Sequence, residues 1–160
     1  MSSNNTILEE GRVPDSGPLA EATAYRDNIF ALTQRAEEAV MSPLDCGLWP
    51  TGLRAALGAR FATRMELDSV AERYRTRVTG IHAVIADPTQ DGAELGLASV
   101  VAFMDKVAME AHAVTDADIA SLQGAGISDA DIVRLCELNA FLAYQPRLIA
   151  GLRLLSGAAT

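Results

Sequence analysis

The chain has 160 residues, of which 49% are hydrophobic and only 5% aromatic. This size and composition are typical of one compact domain and exclude a disordered chain. The formal net charge of -8 repels phosphate backbones and anionic lipid, so neither nucleic acid nor a membrane is expected as a partner. No apolar run approaches the roughly 20 residues that span a bilayer, and neither a signal peptide nor a disulfide-rich pattern is recognisable. These features predict a cytoplasmic location.

The N-terminal segment over 1–14 is polar and lacks periodicity, so we predict a flexible arm before a single helical domain over 15–160. The first helix of that domain is predicted over 18–25, because proline is favoured in a first helical turn. Asp27 is the expected cap of a second helix, over 28–41. Its predicted apolar side contains Phe30, Leu32, Ala36, Ala39 and Val40, and its predicted solvent side contains Arg35, Glu37 and Glu38.

The middle of the chain contains three more predicted helices. The elements are, in order, a loop over 42–50, a helix over 51–65, a helix over about 69–80, a loop over 82–92 and a helix over 93–112. Thr51 is the expected cap of the first of these helices. Asp68 or Ser69 is expected to begin the next, because Ser69 and Glu72 have the spacing of a capping box.

A short internal repeat defines the last two helices. Thr115-Asp-Ala-Asp-Ile returns thirteen residues later as Ser128-Asp-Ala-Asp-Ile. In each copy a hydroxyl cap precedes two acids that the helix dipole favours in a first turn. The second copy opens a long helix to about residue 155, in which Pro146 is expected to cause a kink. Since no segment alternates with period two, we predict an all-α domain of six or seven helices.

Chemical motifs are sparse. His82 and His112 are thirty residues apart without further ligands at helical spacing, so we predict no metal site. No Gly-rich fingerprint or Gly-x-Ser-x-Gly motif occurs, and no cofactor is predicted. Cys136 lies on the predicted apolar side of the last helix and is expected to be buried. The exposure of Cys46, in the loop over 42–50, is left open.

Charge is distributed unevenly along the chain. Residues 54–77 carry six arginines, namely Arg54, Arg60, Arg64, Arg73, Arg75 and Arg77, opposed only by Glu66, Asp68 and Glu72. We favour salt bridges to acidic neighbours over a face that attracts an anion. Asn139 shares a helical stripe with Leu135 and Leu142, so its amide is expected to bond a neighbouring helix or, less commonly, to line a small polar pocket.

Three segments give the chain a resemblance to a known family. They are Leu53-Arg-Ala-Ala-Leu-Gly-Ala-Arg-Phe-Ala, the repeat from His112 to Ile132, and Asn139-Ala-Phe-Leu-Ala-Tyr-Gln-Pro-Arg-Leu-Ile-Ala-Gly-Leu-Arg. Over roughly 25–155 the chain resembles the carboxymuconolactone decarboxylase and AhpD-like alkylhydroperoxidase superfamily. The resemblance implies an AhpD-like helical fold that assembles as a homo-oligomer, a trimer or a hexamer. Apolar rows on the fifth and last predicted helices also favour self-association.

The redox motif of that superfamily is missing. Peroxidase members carry a Glu, two cysteines separated by two residues, and a His. One cysteine attacks the peroxide, the other resolves the sulfenic acid, and the Glu and His relay protons. The resemblance places Ala55, Leu67, Val70 and Tyr74 at these positions. A register shifted by one places Glu66, Ser69 and Arg73 at the last three, which restores no thiol.

Three hypotheses for the function follow. The first is a non-redox binding or assembly subunit, with a peroxidase-like relative as a possible further partner. The second is a cofactor-free decarboxylase or lactone-type enzyme on a small acidic substrate. It would use Arg60, Arg64 and Arg73 as an anion clamp and Tyr74, His82 or His112 as a proton donor. The third is an alkylhydroperoxidase that uses Cys46 and Cys136, which requires Cα atoms within about 7 Å.

Overall fold

The computed structural model describes residues 5–157, and in this range all regular secondary structure is helical, with no β-strand. The α-helices are α1 (Thr6–Glu10), α2 (Pro18–Tyr25), α3 (Asp27–Met41), α4 (Thr51–Arg64), α5 (Asp68–Arg75), α6 (Ala98–Glu110), α7 (Asp116–Gly124) and α8 (Asp129–Leu155). Short 3₁₀-helices cover Gly80–Ala86, Ala93–Leu95 and Ala111–Ala113. The predicted all-α class is confirmed, with more helices than the six or seven expected. Within the described residues, no helix combines the length and apolar character needed to cross a membrane.

Helix α4 lies at the centre of the core. Every residue from Gly52 to Ala62 is buried, and α4 contacts α3, α5, α6, α8 and the 3₁₀-helix Gly80–Ala86. Small side chains permit such close packing on all sides. A Cβ at Gly58 would lie 3.1 Å from the ring of Tyr74, so the absence of a side chain at Gly58 lets α5 bring this tyrosine against α4.

The N-terminal segment differs from its prediction. Instead of a flexible arm through residue 14, the chain forms α1, in which Ile7 is 2% exposed. Asn5 caps α1 by accepting from the backbone N–H groups of Ile7 and Leu8, and its Nδ2 donates to the carbonyl of Phe30 at 2.8 Å. The only sequence signal for α1 is a polar capping residue followed by a very short apolar run. A run this short shows no helical periodicity. Residues 1–4 of the predicted arm lie outside the described range.

Helix α3 is oriented differently from the prediction. Leu32, Ala36 and Ala39, assigned to its apolar side, are exposed. Glu37, assigned to the solvent side, is 4% exposed. The other buried residues of α3 are Phe30, Thr33 and Met41. The inner face of α3 is thus partly polar, because Glu37 meets Gln145 of α8 and Arg77, which follows α5.

Two boundaries in the middle of the chain also differ. The predicted loop over 82–92 contains most of the 3₁₀-helix Gly80–Ala86, and the predicted helix over 93–112 is divided before α6. Gly96, at φ 69°, ends the short 3₁₀-helix Ala93–Leu95, since this left-handed conformation suits glycine. The Ser69 hydroxyl donates to Glu10 Oε2 at 2.6 Å rather than capping α5. A hydrogen bond to Glu10, 59 residues earlier in the chain, therefore replaces the predicted capping box of Ser69.

The internal repeat behaves as predicted. Thr115 and Asp118 form a complete capping box at the start of α7, and the Ser128 hydroxyl accepts from the backbone N–H of Asp131 at the start of α8. Helix α8 then continues over 27 residues with Pro146 inside it. It contacts α1, α3, α4, α6 and α7, so it is the second organising element of the fold.

Candidate functional site

The four positions that the predicted resemblance aligns with the redox motif are occupied by core side chains. Ala55, Leu67, Val70 and Tyr74 are 1%, 6%, 0% and 1% exposed. None of them carries a thiol or carboxylate, and their side chains are packed into one hydrophobic core. This region offers neither a nucleophile nor access for a peroxide.

Tyr74 takes part in a buried polar network that joins α5, α8 and α3. Its hydroxyl donates to Gln145 Oε1 at 2.6 Å, and Gln145 Nε2 donates to Glu37 Oε2 at 3.0 Å. Gln145 is 0% exposed and Glu37 is 4% exposed. The three side chains therefore form a continuous chain of hydrogen bonds inside the protein, where each unmade bond would carry a large cost.

The network reaches the surface through Arg77. Its Nη1 lies 3.5 Å from Glu37 Oε1, and its Nη2 donates to the Ser42 hydroxyl at 3.3 Å. The Arg77 side chain is 37% exposed, compared with 5% for that of Glu37. The carboxylate of Glu37 thus has a cationic partner on its outer side and an amide donor on its inner side, so its charge is accommodated at low exposure.

Burial raises the pKa of Tyr74, and the negative charge of Glu37 raises it further. The hydroxyl therefore stays protonated and acts as a hydrogen-bond donor to Gln145. As a proton donor to a substrate, the role suggested for Tyr74 by the enzyme hypothesis, it would need a contact that its 1% exposure does not provide. The geometry assigns this tyrosine a structural role in the core.

Glu37 and Gln145 were missed as notable residues in the sequence. Glu37 lies beside Glu38, and two adjacent acidic residues are normally expected on the solvent side of a helix. Gln145 did carry a signal, because it lies on the same stripe of α8 as Leu138, Leu142 and Ile149, all buried. A polar residue on an apolar stripe marks a buried hydrogen-bond group, which is the criterion that singled out Asn139.

Arg60 is fully engaged within the protein. It is 3% exposed, and its Nε and Nη2 donate to the two carboxylate oxygens of Asp105, each at 2.7 Å. The remaining donors bond the carbonyls of Ile85, Asp87 and Pro88. Arg60 therefore fixes the 3₁₀-helix Gly80–Ala86 and the turn after it to α4 and α6, with no donor directed at a ligand.

Four further arginines of the basic segment are paired with carboxylates. Arg64 shares Asp105 with Arg60, whereas Arg73 bonds Glu9 of α1 at 3.2 Å. Arg75 pairs with Glu72, and Arg77 with Glu37. This is the arrangement that the sequence favoured over an anion-attracting face. The proposed clamp of Arg60, Arg64 and Arg73 is divided between different carboxylates.

Arg54 holds the loop between α3 and α4. It is 2% exposed and donates to the carbonyls of Trp49, Val40 and Cys46. Burial lowers the pKa of Arg54 from its ordinary value, although nearby acidic groups oppose the change. The loop is also tied to α8, because Trp49 Nε1 donates to the carbonyl of Asp131 at 2.8 Å.

The histidines and cysteines lie at four separate places in the sequence and differ in exposure. His82 is partly buried in the 3₁₀-helix Gly80–Ala86, and His112 is exposed. Across residues 5–157, no group of three His, Cys, Asp or Glu residues could hold a metal ion. Cys136 is exposed, so the prediction that it is buried is wrong. Partial desolvation and the nearby Glu137 nevertheless raise the pKa of its thiol, which disfavours the reactive thiolate.

Cys46 and Asn139 are the remaining candidate residues from the sequence. Cys46 is partly buried, with its sulfur 3.7 Å from the carbonyl of Pro43. Asn139 is 1% exposed, yet neither its Oδ1 nor its Nδ2 has a hydrogen-bond partner within the described part of the chain. The predicted bond to a neighbouring helix is therefore absent. An orphaned buried amide destabilises the fold.

An apolar groove of about 360 Å³ lies between α2, α3 and the C-terminal half of α8. Its lining residues are mostly apolar: Leu19, Ala22, Thr23, Arg26, Ile29, Phe30, Tyr144, Leu148, Leu152 and Leu155. Two of the large lining side chains are open to solvent, namely Ile29 at 42% and Leu155 at 72%. Contiguous exposed apolar surface of this kind is typical of an interaction site.

No family model, curated protein or solved structure matches this chain. The resemblance to the carboxymuconolactone decarboxylase and AhpD-like superfamily therefore stays a prediction from the sequence. The clearest functional features of the structure are a closed core where a redox site would lie, arginines paired with carboxylates, and an open apolar groove.

Proposed function

We propose that the protein is a non-redox binding or assembly subunit that forms a homo-oligomer through its apolar surface. The observation that carries this proposal is the groove between α2, α3 and α8 together with the exposed apolar side of α3. Large leucines and an isoleucine at high exposure are unfavourable in a monomer unless a partner covers them. The resemblance to an oligomeric superfamily points in the same direction.

The positions of the redox motif support a role without peroxide chemistry. Leu67 and Val70 occupy the cysteine positions and are buried. A thiol peroxidase needs an accessible thiolate beside a resolving thiol, and neither side chain can be oxidised and reduced again. The alternative of a small-acid enzyme gains no support from its proposed anion clamp, because Arg60, Arg64 and Arg73 already bond carboxylates.

The test of the proposal is the molar mass of the native protein, measured by light scattering over a range of micromolar concentrations. We expect an oligomer. Leu155→Glu, which places a charge on the wall of the groove, should shift the protein toward the monomer. Val133→Glu is the matched control, because Val133 is also an exposed apolar residue of α8, at 56%, and lies outside the groove.

Circular dichroism should show unchanged helix content for both variants, since both positions are exposed. A native protein that is monomeric throughout this range would refute the proposal. An oligomer that Leu155→Glu and Val133→Glu affect equally would show that the groove is not the contact surface.

A further inference from the structure

A second concave surface, which we call the α5 pocket, lies between the end of α5 and the 3₁₀-helix Gly80–Ala86. Its volume of about 440 Å³ is in the range of small-molecule binding sites. Within residues 5–157 it shares no lining residue with the apolar groove. Six residues line it, namely Arg75, Val78, Ala83, Ala86, Asp87 and Pro88.

The α5 pocket contains one cationic and one anionic side chain among four apolar residues. Arg75 belongs to the last turn of α5, whereas Asp87 directly follows the 3₁₀-helix. Although the two line the same cavity, they form no ion pair with each other in the described part of the chain. Opposite charges that share a cavity without contact are complementary to a ligand that carries both charges. They disfavour a ligand that carries only one.

The guanidinium of Arg75 has donors left for a ligand. Its Nη2 donates to the Thr63 hydroxyl at 2.8 Å, and its Nη1 lies 3.5 Å from Glu72 Oε2. The Arg75 and Glu72 side chains are 39% and 68% exposed, so this ion pair contributes little. Because a guanidinium has five N–H donors, Arg75 can bind a ligand carboxylate. Arg60, by contrast, uses its donors inside the protein.

Asp87 provides an oriented and ionised carboxylate. Its Oδ1 accepts from the backbone N–H of Thr89 at 2.9 Å and from the Thr89 hydroxyl at 2.8 Å. These hydrogen bonds lower the pKa of Asp87 from its ordinary value. Since Thr89 holds the carboxylate through one oxygen, Oδ2 is left to accept from a ligand ammonium group.

Arg60 fixes the wall of the α5 pocket that carries Asp87. Its guanidinium donates to the carbonyl of Asp87 at 2.6 Å and to that of Pro88 at 3.1 Å. The same guanidinium is anchored on Asp105 of α6. The wall is therefore held in shape before a ligand arrives, so binding requires little ordering of the backbone.

The rest of the lining is aliphatic, with Ala86 buried and Val78 partly buried. We propose that the α5 pocket binds a small aliphatic amino acid in its zwitterionic form, with its carboxylate on Arg75 and its ammonium group on Asp87. The side chain of the ligand packs against Val78 and Ala86. The inference goes beyond the proposed function, because the pocket is separate from the groove and is complete in a single copy of the chain.

The first test compares three ligands of similar size. L-Leucine carries both charges, 4-methylpentanoate is leucine without the ammonium group, and 3-methylbutylamine is leucine without the carboxylate. Each is titrated into the ¹⁵N-labelled native protein, and the amide shifts over residues 75–87 report the location and the dissociation constant. We expect leucine to bind with a dissociation constant on the order of 1 mM or below. Each analogue should bind about tenfold more weakly, because it loses one charged hydrogen-bonded contact.

Substitutions at the two charges should affect leucine and the analogues in opposite directions. Asp87→Asn keeps an oxygen for Thr89 and should weaken leucine binding about tenfold, yet it should strengthen binding of 4-methylpentanoate, because a repulsion is removed. Arg75→Gln should likewise weaken leucine binding about tenfold and strengthen binding of 3-methylbutylamine. Asp91→Asn and Arg147→Gln are the matched controls and should change no affinity, because both residues are exposed and neither lines the pocket.

The outcomes decide the proposal and separate it from the assembly. The absence of saturable leucine shifts over residues 75–87, or equal affinity for the three ligands, would overturn the amino-acid site. Leucine shifts centred on the groove would overturn it as well. Tighter binding of leucine than of both analogues, together with the opposite effects of the two substitutions, would establish it. A native monomer that binds leucine would refute the assembly alone, whereas an oligomer that does not bind leucine would refute the pocket alone.

Discussion

Replacing Tyr74 with phenylalanine should destabilise the protein through a single buried atom. The Tyr74 hydroxyl is the donor to Gln145 Oε1 at 2.6 Å, and both side chains are at most 1% exposed. Phenylalanine keeps the ring packed against Gly58 but leaves the amide oxygen without its donor. A buried polar group that loses its partner costs about 1–3 kcal/mol, and we expect a loss in this range.

Replacing Gln145 with leucine should cost more, because two partners are orphaned together. The Tyr74 hydroxyl loses its acceptor, and the Glu37 carboxylate, which is 4% exposed, loses its inner donor. We expect about 3–5 kcal/mol. In that background Tyr74→Phe should cost little, since the hydroxyl no longer has a partner to lose. The loss of stability in the double variant should therefore be smaller than the sum of the two single losses by about 1–2 kcal/mol.

Urea unfolding followed by circular dichroism measures these free energies. Tyr25→Phe is the matched control, because Tyr25 is 85% exposed, and it should change stability by less than about 0.5 kcal/mol. If Tyr74→Phe is as neutral as the control, or if the effects of Tyr74→Phe and Gln145→Leu are additive, the hydrogen-bonded chain does not stabilise the core as argued.

The same tyrosine predicts a change with pH. Burial raises the pKa of Tyr74 above its ordinary value, so above about pH 10 the unfolded chain loses a proton that the folded chain retains. The contribution is fully present below that pH and is lost as pH rises beyond it. Urea unfolding at alkaline pH should therefore show a steeper decline in stability for the native protein than for Tyr74→Phe. Equal declines would contradict the direction of the shift.

Three further predictions concern other parts of the core and the thiols. Asn139→Leu should raise the free energy of unfolding by about 1–3 kcal/mol, because it removes an orphaned buried amide with little change in volume; a clear loss of stability in urea unfolding would show that the amide is satisfied in solution. Arg60→Lys should cost about 3–5 kcal/mol, since an ammonium cannot reproduce the fork on Asp105 and the three carbonyl bonds, and a denaturation midpoint equal to the native value would contradict this. Cys46→Ser and Cys136→Ser should leave the circular dichroism spectrum unchanged, and the native protein should show no dithiol-dependent hydroperoxide reduction; turnover abolished by either substitution would overturn the non-redox proposal.

The elements with local signals could be predicted from the sequence. Helices α7 and α8 begin where hydroxyl caps and first-turn acids predicted them, because capping involves only the next three residues. Helix α4 was recognisable from its apolar spacing. Local rules failed where long-range contacts decide the structure. Ser69 bonds Glu10 instead of capping its own helix, and α1 exists because Asn5 and Ile7 pack against elements far along the chain.

The candidate site was less predictable for the same reason. The pairing of the arginines with carboxylates was favoured by charge balance, but Asp105 as the partner of Arg60 lies 45 residues away. Glu37 gave no signal, because an acid inside a polar stretch of helix is normally solvated. The burial of Glu37 depends on Gln145, which is 108 residues away, and on Arg77, which lies two residues after the end of α5.

The differences between prediction and structure are largest in α3. An ordinary surface helix turns its polar residues to solvent and its apolar residues to the core, and α3 partly reverses this arrangement. Its inner face includes Thr33 and Glu37, whereas Leu32, Ala36 and Ala39 face solvent. Single exposed apolar residues carry little information, but buried polar groups combined with a contiguous apolar stripe do. The inner face is held by hydrogen bonds and an ion pair, so α3 does not need its apolar stripe to pack in the monomer. The stripe is then available to the proposed assembly contact. If α3 takes part in that contact, weakening the Tyr74–Gln145–Glu37 network should loosen α3 and weaken association together.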